Sequence, residues 1–241
     1  MKELKVYEVR LKVFMLQDVE QKQTYAVVGD FLDSYLSKKN EFLSLHETNC
    51  FKMYVYDQPY PMEENGVYKK EKIYTIRIRT VRSELAKYLS DGLQNHYNNQ
   101  MKGLTMEVRI IPKKMISHIY SITPAIMKCS DQQSENMKKG YWKNYLSFEE
   151  FEQRLKSNLI KKYNELMDTK VDEDFQLYQM IEFKNKVPIA LPYKGVQLLG
   201  DKFNIQAANN KMSQELLYMA LGTGMCEMNA RGAGFMNYRY M

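Results

Sequence analysis

The sequence is poor in the residues that usually announce a cofactor or a covalent framework: 241 residues contain three cysteines, three histidines, one tryptophan and six prolines. Cys50, Cys129 and Cys226 are odd in number and far apart, which excludes a disulfide framework. No C-x-x-C or H-x-E-x-H spacing is present, so no metal site is expected. No G-K-[ST] follows a glycine-rich loop. Gly222-Thr-Gly224 lacks the third glycine of a dinucleotide fingerprint, because Glu227 stands there. Nucleotide cofactors lose support, and the expected cofactor complement is none. No apolar run approaches the roughly 18 residues of a membrane span, and the opening MKELKVYEVR alternates charged with apolar residues. A cytoplasmic protein without a membrane partner is the expectation.

Charge of one sign is also scarce. Lys and Arg number 35 against 29 Asp and Glu, a net +6, and a cut after Lys113 leaves 18 against 15 and then 17 against 14. This even, mild positive field is compatible with nucleic acid without requiring it. With 44% hydrophobic and 27% charged residues the chain is globular, and its length suits one large domain or two small ones.

Periodicity favours two. Tyr7, Val9, Leu11 and Val13 alternate with Glu8, Arg10 and Lys12, the mark of a strand buried on one face. Tyr25, Val28, Phe31, Leu32, Tyr35 and Leu36 recur at helical spacing over about 22–38. A strand near 51–56, a turn-rich DQPYPMEENG and a strongly alternating strand at Tyr74–Arg79 follow. Ser83 is positioned as the N-cap of a helix bearing Leu85, Leu89 and Leu93, and Met106, Val108 and Ile110 form a last strand before Pro112. The order β-α-β-β-α-β is ferredoxin-like. From residue 114 the pattern repeats more loosely. It gives a strand over 117–127, a polar loop over 130–144, and a helix opened by the Ser147/Glu150 capping box. Strands follow near 175–184 and 191–206, then a helix near 210–220 and an extended, glycine-interrupted tail. The expectation is therefore an α+β protein of two tandem ferredoxin-like domains, 1–113 and 114–241.

Three stretches carry chemistry. In Ser44–Tyr54, His46 supplies a group that titrates near neutrality (pKa about 6.5), and Lys52 a cation for negative charge building up on a phosphate. The same residues also read as a loop histidine and a solvent-facing lysine. Gly222-Thr-Gly224 and Arg231-Gly-Ala-Gly-Phe235 allow close backbone approach to a phosphate, or equally a tight hairpin with no ligand. Ser121-Ile-Thr-Pro-Ala-Ile-Met127 is a strand with a proline at an edge or bulge.

In this order the three stretches resemble the CRISPR repeat-processing endoribonucleases of the Cas group, within the RAMP superfamily. The similarity rests on Leu45-His46-Glu47 followed by Phe51-Lys52-x-Tyr54, on Thr123-Pro-Ala-Ile126, and on the C-terminal G-x-G…G-x-G-F tail. It implies two ferredoxin-like domains, and cleavage of precursor CRISPR RNA without metal by attack of the 2′-hydroxyl, leaving 2′,3′-cyclic phosphate and 5′-hydroxyl ends. It assigns His46 as general acid or base and Lys52 as the stabilising cation. The tyrosine that many members carry on the first helix falls at Phe31, which leaves Tyr35, one turn on, as the substitute, or equally as a core aromatic with a site of two residues. His96 is expected at the surface at a helix end, and His118 as structural.

The RNA contacts expected are Arg77, Arg79 and Arg82 on and after the alternating strand, Lys138, Lys139 and Lys143 flanking Tyr141 and Trp142, and Lys194, Lys202 and Arg231 near the glycine tail. Gly222, Gly224, Gly232 and Gly234 complete that set. The partners expected from the resemblance are CRISPR repeat RNA, other Cas effector subunits and a second copy in a homodimer. The alternative is a non-catalytic subunit that binds CRISPR RNA within an effector complex.

Overall fold

Strict alternation builds the first sheet. In Val6–Met15 (β1), Val9, Leu11 and Val13 are wholly buried on one face. Strands Tyr54–Tyr56 (β2), Ile73–Thr80 (β3) and Met101–Ile111 (β4) complete an antiparallel sheet of order β2-β3-β1-β4. Helices Thr24–Leu36 (α1) and Ser83–Gly92 (α3) cover the apolar face with Val28, Phe31, Leu32, Leu85 and Leu89. Each wholly buried Leu or Phe there contributes about 1.5–3 kcal/mol. This computed structural model describes residues 3–48, 50–130 and 139–241, and at 44–47, 130 and 139 the backbone alone.

The second unit repeats the topology with strands Ile116–Ser121 (β5), Tyr178–Phe183 (β6), Phe203–Ala207 (β9) and Met236–Tyr240 (β10), in the order β6-β9-β5-β10. Between β6 and β9 a hairpin, Ile189–Tyr193 (β7) and Val196–Gly200 (β8), turns through Lys194 and Gly195, both at positive φ as a tight two-residue turn requires. Helix Phe148–Met167 (α4) starts with the Ser147/Glu150 capping box and buries Phe151, Leu155 and Leu159. Helix Lys211–Thr223 (α5) completes the unit. Both halves are thus ferredoxin-like, joined by residues 112–115. No helix among the described residues is long and apolar enough to cross a membrane.

The halves share one core. Helix α5 lies on the second face of the first sheet, where a Cβ on Gly222 would stand 2.8 Å from Val81 Cγ1 and 3.1 Å from Val6 Cγ1. The Tyr218 hydroxyl accepts from the Val6 N–H (3.2 Å) and donates to the Ile111 carbonyl (2.6 Å). Register places Glu8 of β1 between Arg79 of β3 and Arg109 of β4. Its carboxylate accepts from the Nε of Arg79 (2.6 Å), Arg10 (2.8 Å) and Arg109 (2.9 Å). Burial opposes that charge, but the three guanidiniums overrule it and hold the Glu8 pKa at about 2.

Several expectations need correction. Residues 40–47 form a further helix (α2, Asn40–Glu47) rather than a loop, and His46 lies in its last turn. Residues 51–53 precede the strand, because Met53 takes a left-handed φ of 58°. The strand expected over 117–127 ends at Ser121, and the 191–206 region is a hairpin plus β9. His96 does end a helical segment but is buried, between the Ser34 hydroxyl (2.8 Å) and Lys38 Nζ (3.0 Å).

Candidate functional site

Where α2 ends, the chain enters a cleft of about 800 Å³ between the two units. Thr48, Cys50, Lys52 and Tyr54 line it from the first unit; α4, Tyr193 of the hairpin and the segment from Thr223 to Arg231 line it from the second. Among the described residues its walls carry six basic side chains, Lys52, Lys128, Arg154, Lys161, Lys162 and Arg231, against one acidic side chain, Glu227. Glu227 is engaged by Arg154 at 3.3 Å and Lys128 at 3.8 Å, so the cleft presents surplus positive charge to an anion. Lys52 Nζ donates to the Thr48 carbonyl at 2.8 Å, which holds the ammonium beside the end of α2.

The loop from Gly224 to Gly234 forms one wall, and protein contacts consume its glycines. Gly224 N–H donates to Ala220 O, Gly232 N–H to Asn229 O and Gly234 N–H to Pro124 O. A Cβ on Gly234 would lie 2.1 Å from Met225 O, and one on Gly224 2.5 Å from Asn229 Nδ2. Asn229 ties the loop together by donating to Met225 O (2.9 Å) and Ala233 O (3.0 Å). Lys162, from α4, pins it from below: its Nζ donates to Gly224 O (2.9 Å), Cys226 O (2.8 Å) and Asn229 Oδ1 (2.7 Å). Burial lowers the Lys162 pKa from 10.5 to about 7, against the opposing pull of Cys226 and Glu227. Burial likewise raises the Cys226 thiol to about 12, so that sulfur is a packing group. At the far end Arg231 pairs with Asp33 of α1, fastening the loop to the first unit. Its guanidinium stands 5.9 Å from the Tyr193 ring.

The cleft thus brings together Lys52 and Arg231, with Gly224, Gly232 and Gly234 in the loop behind its lining, and Lys194 stands exposed at the hairpin tip, 5.6 Å over the Tyr193 ring. The side chains of His46 and Lys139, and the whole of Lys138, lie outside the described residues. Tyr35 is not in the cleft: it is buried, stacks on Tyr88 and donates its hydroxyl to Tyr88 O at 2.9 Å, and burial raises its pKa to about 12. Arg79, 1% exposed between Glu8 and Met236 O, is a structural cation rather than an RNA contact. Arg77 is paired with Asp57 (2.6 Å) and sits 4.9 Å from the Phe235 ring, and Arg82 is 3.9 Å from Glu165. Gly222 is a helical residue chosen for close packing, not a loop glycine. Lys143 leans on the Phe183 ring at 4.5 Å, away from the cleft, and Lys202 is half-buried with its pKa lowered by burial. Tyr141 and Trp142 are core residues whose hydroxyl and indole N–H donate to Asp201 at 2.8 and 2.7 Å.

Sequence reasoning missed Lys162, Asp33, Arg154 and Lys161. A single lysine in an amphipathic helix carries no local signal; only the burial of its position, unusual for lysine, marks it.

The family profile described as CRISPR associated protein Cas6, C-terminal, matches residues 108–238. A solved structure of a CRISPR associated protein Cas6 shares 16% identity, with a TM-score of 0.70 over 97% of this chain and 99% of that chain. A RAMP protein binding different RNA substrates shares 12%, with a TM-score of 0.70 over 97% and 99%. A Cas6 product complex shares 16%, with a TM-score of 0.60 over 97% and 100%. No curated protein matches the sequence. The fold is that of the tandem ferredoxin-like RAMP proteins. With more than half of its length matched by the profile, the chain belongs to the CRISPR-associated Cas6 family.

Proposed function

We propose that the chain is an endoribonuclease that cuts CRISPR repeat RNA in this cleft without a metal ion. The observation that supports the reading most is the surplus of cations converging on a cleft whose first-unit wall begins where the helix bearing His46 ends. Family membership and the RNA substrates and product recorded for two structural relatives support the same reading.

In the proposed reaction the 2′-hydroxyl beside the scissile phosphate loses its proton to a base and attacks phosphorus. The new O2′–P bond forms as the P–O5′ bond breaks, and a proton delivered to O5′ completes the leaving group. His46 is the general acid or base, and such transfers contribute typically ~10²–10⁴-fold. Lys52 stabilises the charge that grows on the non-bridging oxygens, an electrostatic role most effective where water is sparse. Arg231 and Lys194 hold flanking phosphates, which makes affinity fall with salt. With Tyr35 engaged in the core, the site works with two residues.

The test is cleavage of the cognate repeat RNA in EDTA by wild type, His46→Ala and Lys52→Ala, with end-group analysis. Expected are cyclic-phosphate ends from the wild type, a loss of roughly 10²-fold or more for His46→Ala, and retained RNA binding. Activity that survives in His46→Ala, or that requires a divalent ion, sinks the mechanism. Tight RNA retention without cleavage by the wild type favours the non-catalytic subunit, a reading the engaged Tyr35 hydroxyl keeps in play.

A further inference from the structure

Strand β4 ends the first sheet, with β1 as its only ladder partner among the described residues. Its beginning is covered: Gly103 N–H donates to His96 O, and Asn98 N–H to Met101 O. Beyond that cover, among the described residues, residues 104–111 pair with no other strand. Glu107, Val108, Arg109 and Ile110 are all exposed, with Val108 at 41% and Ile110 at 49%. A long edge with apolar side chains is a template for another strand, and natural proteins seldom leave one uncovered. A bulge sets Leu104 and Thr105 opposite the single Lys12; beyond it, no further bulge, proline or lysine blunts the stretch from Met106 to Ile110.

We propose that the strand covering this edge belongs to a second copy of the chain, docked antiparallel through β4 about a two-fold axis at Val108. The charge pattern selects that partner and that register. On one face of the sheet Glu8 lies opposite Arg109, and Arg10 opposite Glu107. With the axis at Val108, Arg109 meets Glu107 of the second copy, and Glu107 meets its Arg109. Each row across the interface then alternates in sign: Glu8, Arg109, then Glu107 and Arg10 of the second copy. On the other face Val9 lies opposite Val108, Leu11 opposite Met106 and Tyr7 opposite Ile110. There the same axis joins Val108 to Val108 and Met106 to Ile110, so every crossing row is apolar. Moving the axis to Glu107 or to Arg109 sets that residue against its own copy, a like-charge contact that destabilises a ladder. Moving it half a step sets Glu107 against Val108. The contact is isologous and closes as a dimer with one eight-stranded sheet.

The inference is independent of the proposed reaction, and its test needs no RNA. Light scattering of the full chain at micromolar concentration should give the mass of a dimer. Val108→Lys places two ammonium groups at the axis and should weaken the dimer about tenfold or more in dissociation constant. Because Val108 is exposed, its melting temperature should stay near that of the wild-type protein diluted to monomer. Val108→Cys should form an intermolecular disulfide under mild oxidation, whereas Val187→Cys, 74% exposed elsewhere, should not. A monomeric wild type overturns the proposal, and leaves the edge to a strand from a different protein. A dimer that survives Val108→Lys and fails to cross-link through Cys at 108 overturns it as well, by assigning the dimer to another face.

Discussion

A primary amine sealed inside protein must find acceptors for its protons, and Lys162 finds three in the loop that walls the cleft. The cost of burying its charge shows in the pKa, lowered from 10.5 to about 7. The sign of the consequence follows from linkage. Between about pH 7 and 10.5 the unfolded chain holds this proton and the folded chain has released it. The unfolding free energy therefore rises with pH across that window, and the Lys162 contribution to the slope vanishes below it. Replacement by methionine removes the titrating group while keeping its length. Urea denaturation of wild type and Lys162→Met from pH 6 to 9.5 should give curves that diverge above neutrality, with the wild type gaining relative to the variant. Parallel curves would show that Lys162 titrates as an ordinary exposed lysine.

At the scale of elements, two kinds of glycine have to be separated. Gly195 turns the exposed hairpin at φ +77° with open space around it, whereas Gly234 at φ +69° has Met225 O only 2.1 Å from where a Cβ would stand. Alanine at 195 bears only the left-handed penalty of about 1–2 kcal/mol. At 234 it must also displace backbone, so Gly234→Ala should lose more stability in urea than Gly195→Ala and should loosen the cleft wall. Equal losses would mean that the loop adapts freely. The same contrast explains what the sequence made legible. The alternation in β1 and β3 reported the buried face correctly, because period two is a property of the strand itself. It could not report what covers the second face, so Arg79 read as exposed although the second unit closes over it. Gly222 read as loop because helix packing against Val6 and Val81 is a long-range cause that no local pattern carries. Lys52 and Arg231, which line the cleft, were legible as candidates through their motifs; Lys162 and Asp33 were not, since their contacts exist only once α4 and α1 meet the loop.

On the scale of the whole molecule, the duplicated fold does not make two independent bodies. The packing surfaces of α5 are shared: its inner residues join the core of the second unit, while Tyr218 reaches the first, bridging the Val6 N–H and the Ile111 carbonyl. Arg79 of β3 answers by donating to Met236 O at the start of β10 (2.6 Å), in a contact wholly enclosed by protein. Tyr218→Phe keeps the ring and removes the hydroxyl, leaving a buried donor and a buried acceptor without that partner, at a cost of about 1–3 kcal/mol. Because the bridge joins the units, the loss should appear in both together. Trp142, the single tryptophan and 3% exposed, reports the second unit by fluorescence, and amide exchange along β1 reports the first. Both probes should shift by the same free energy in the variant, within one cooperative transition. If β1 loosens while the Trp142 transition stays where it was, the shared core does not couple the units, and each ferredoxin-like half stands on its own stability.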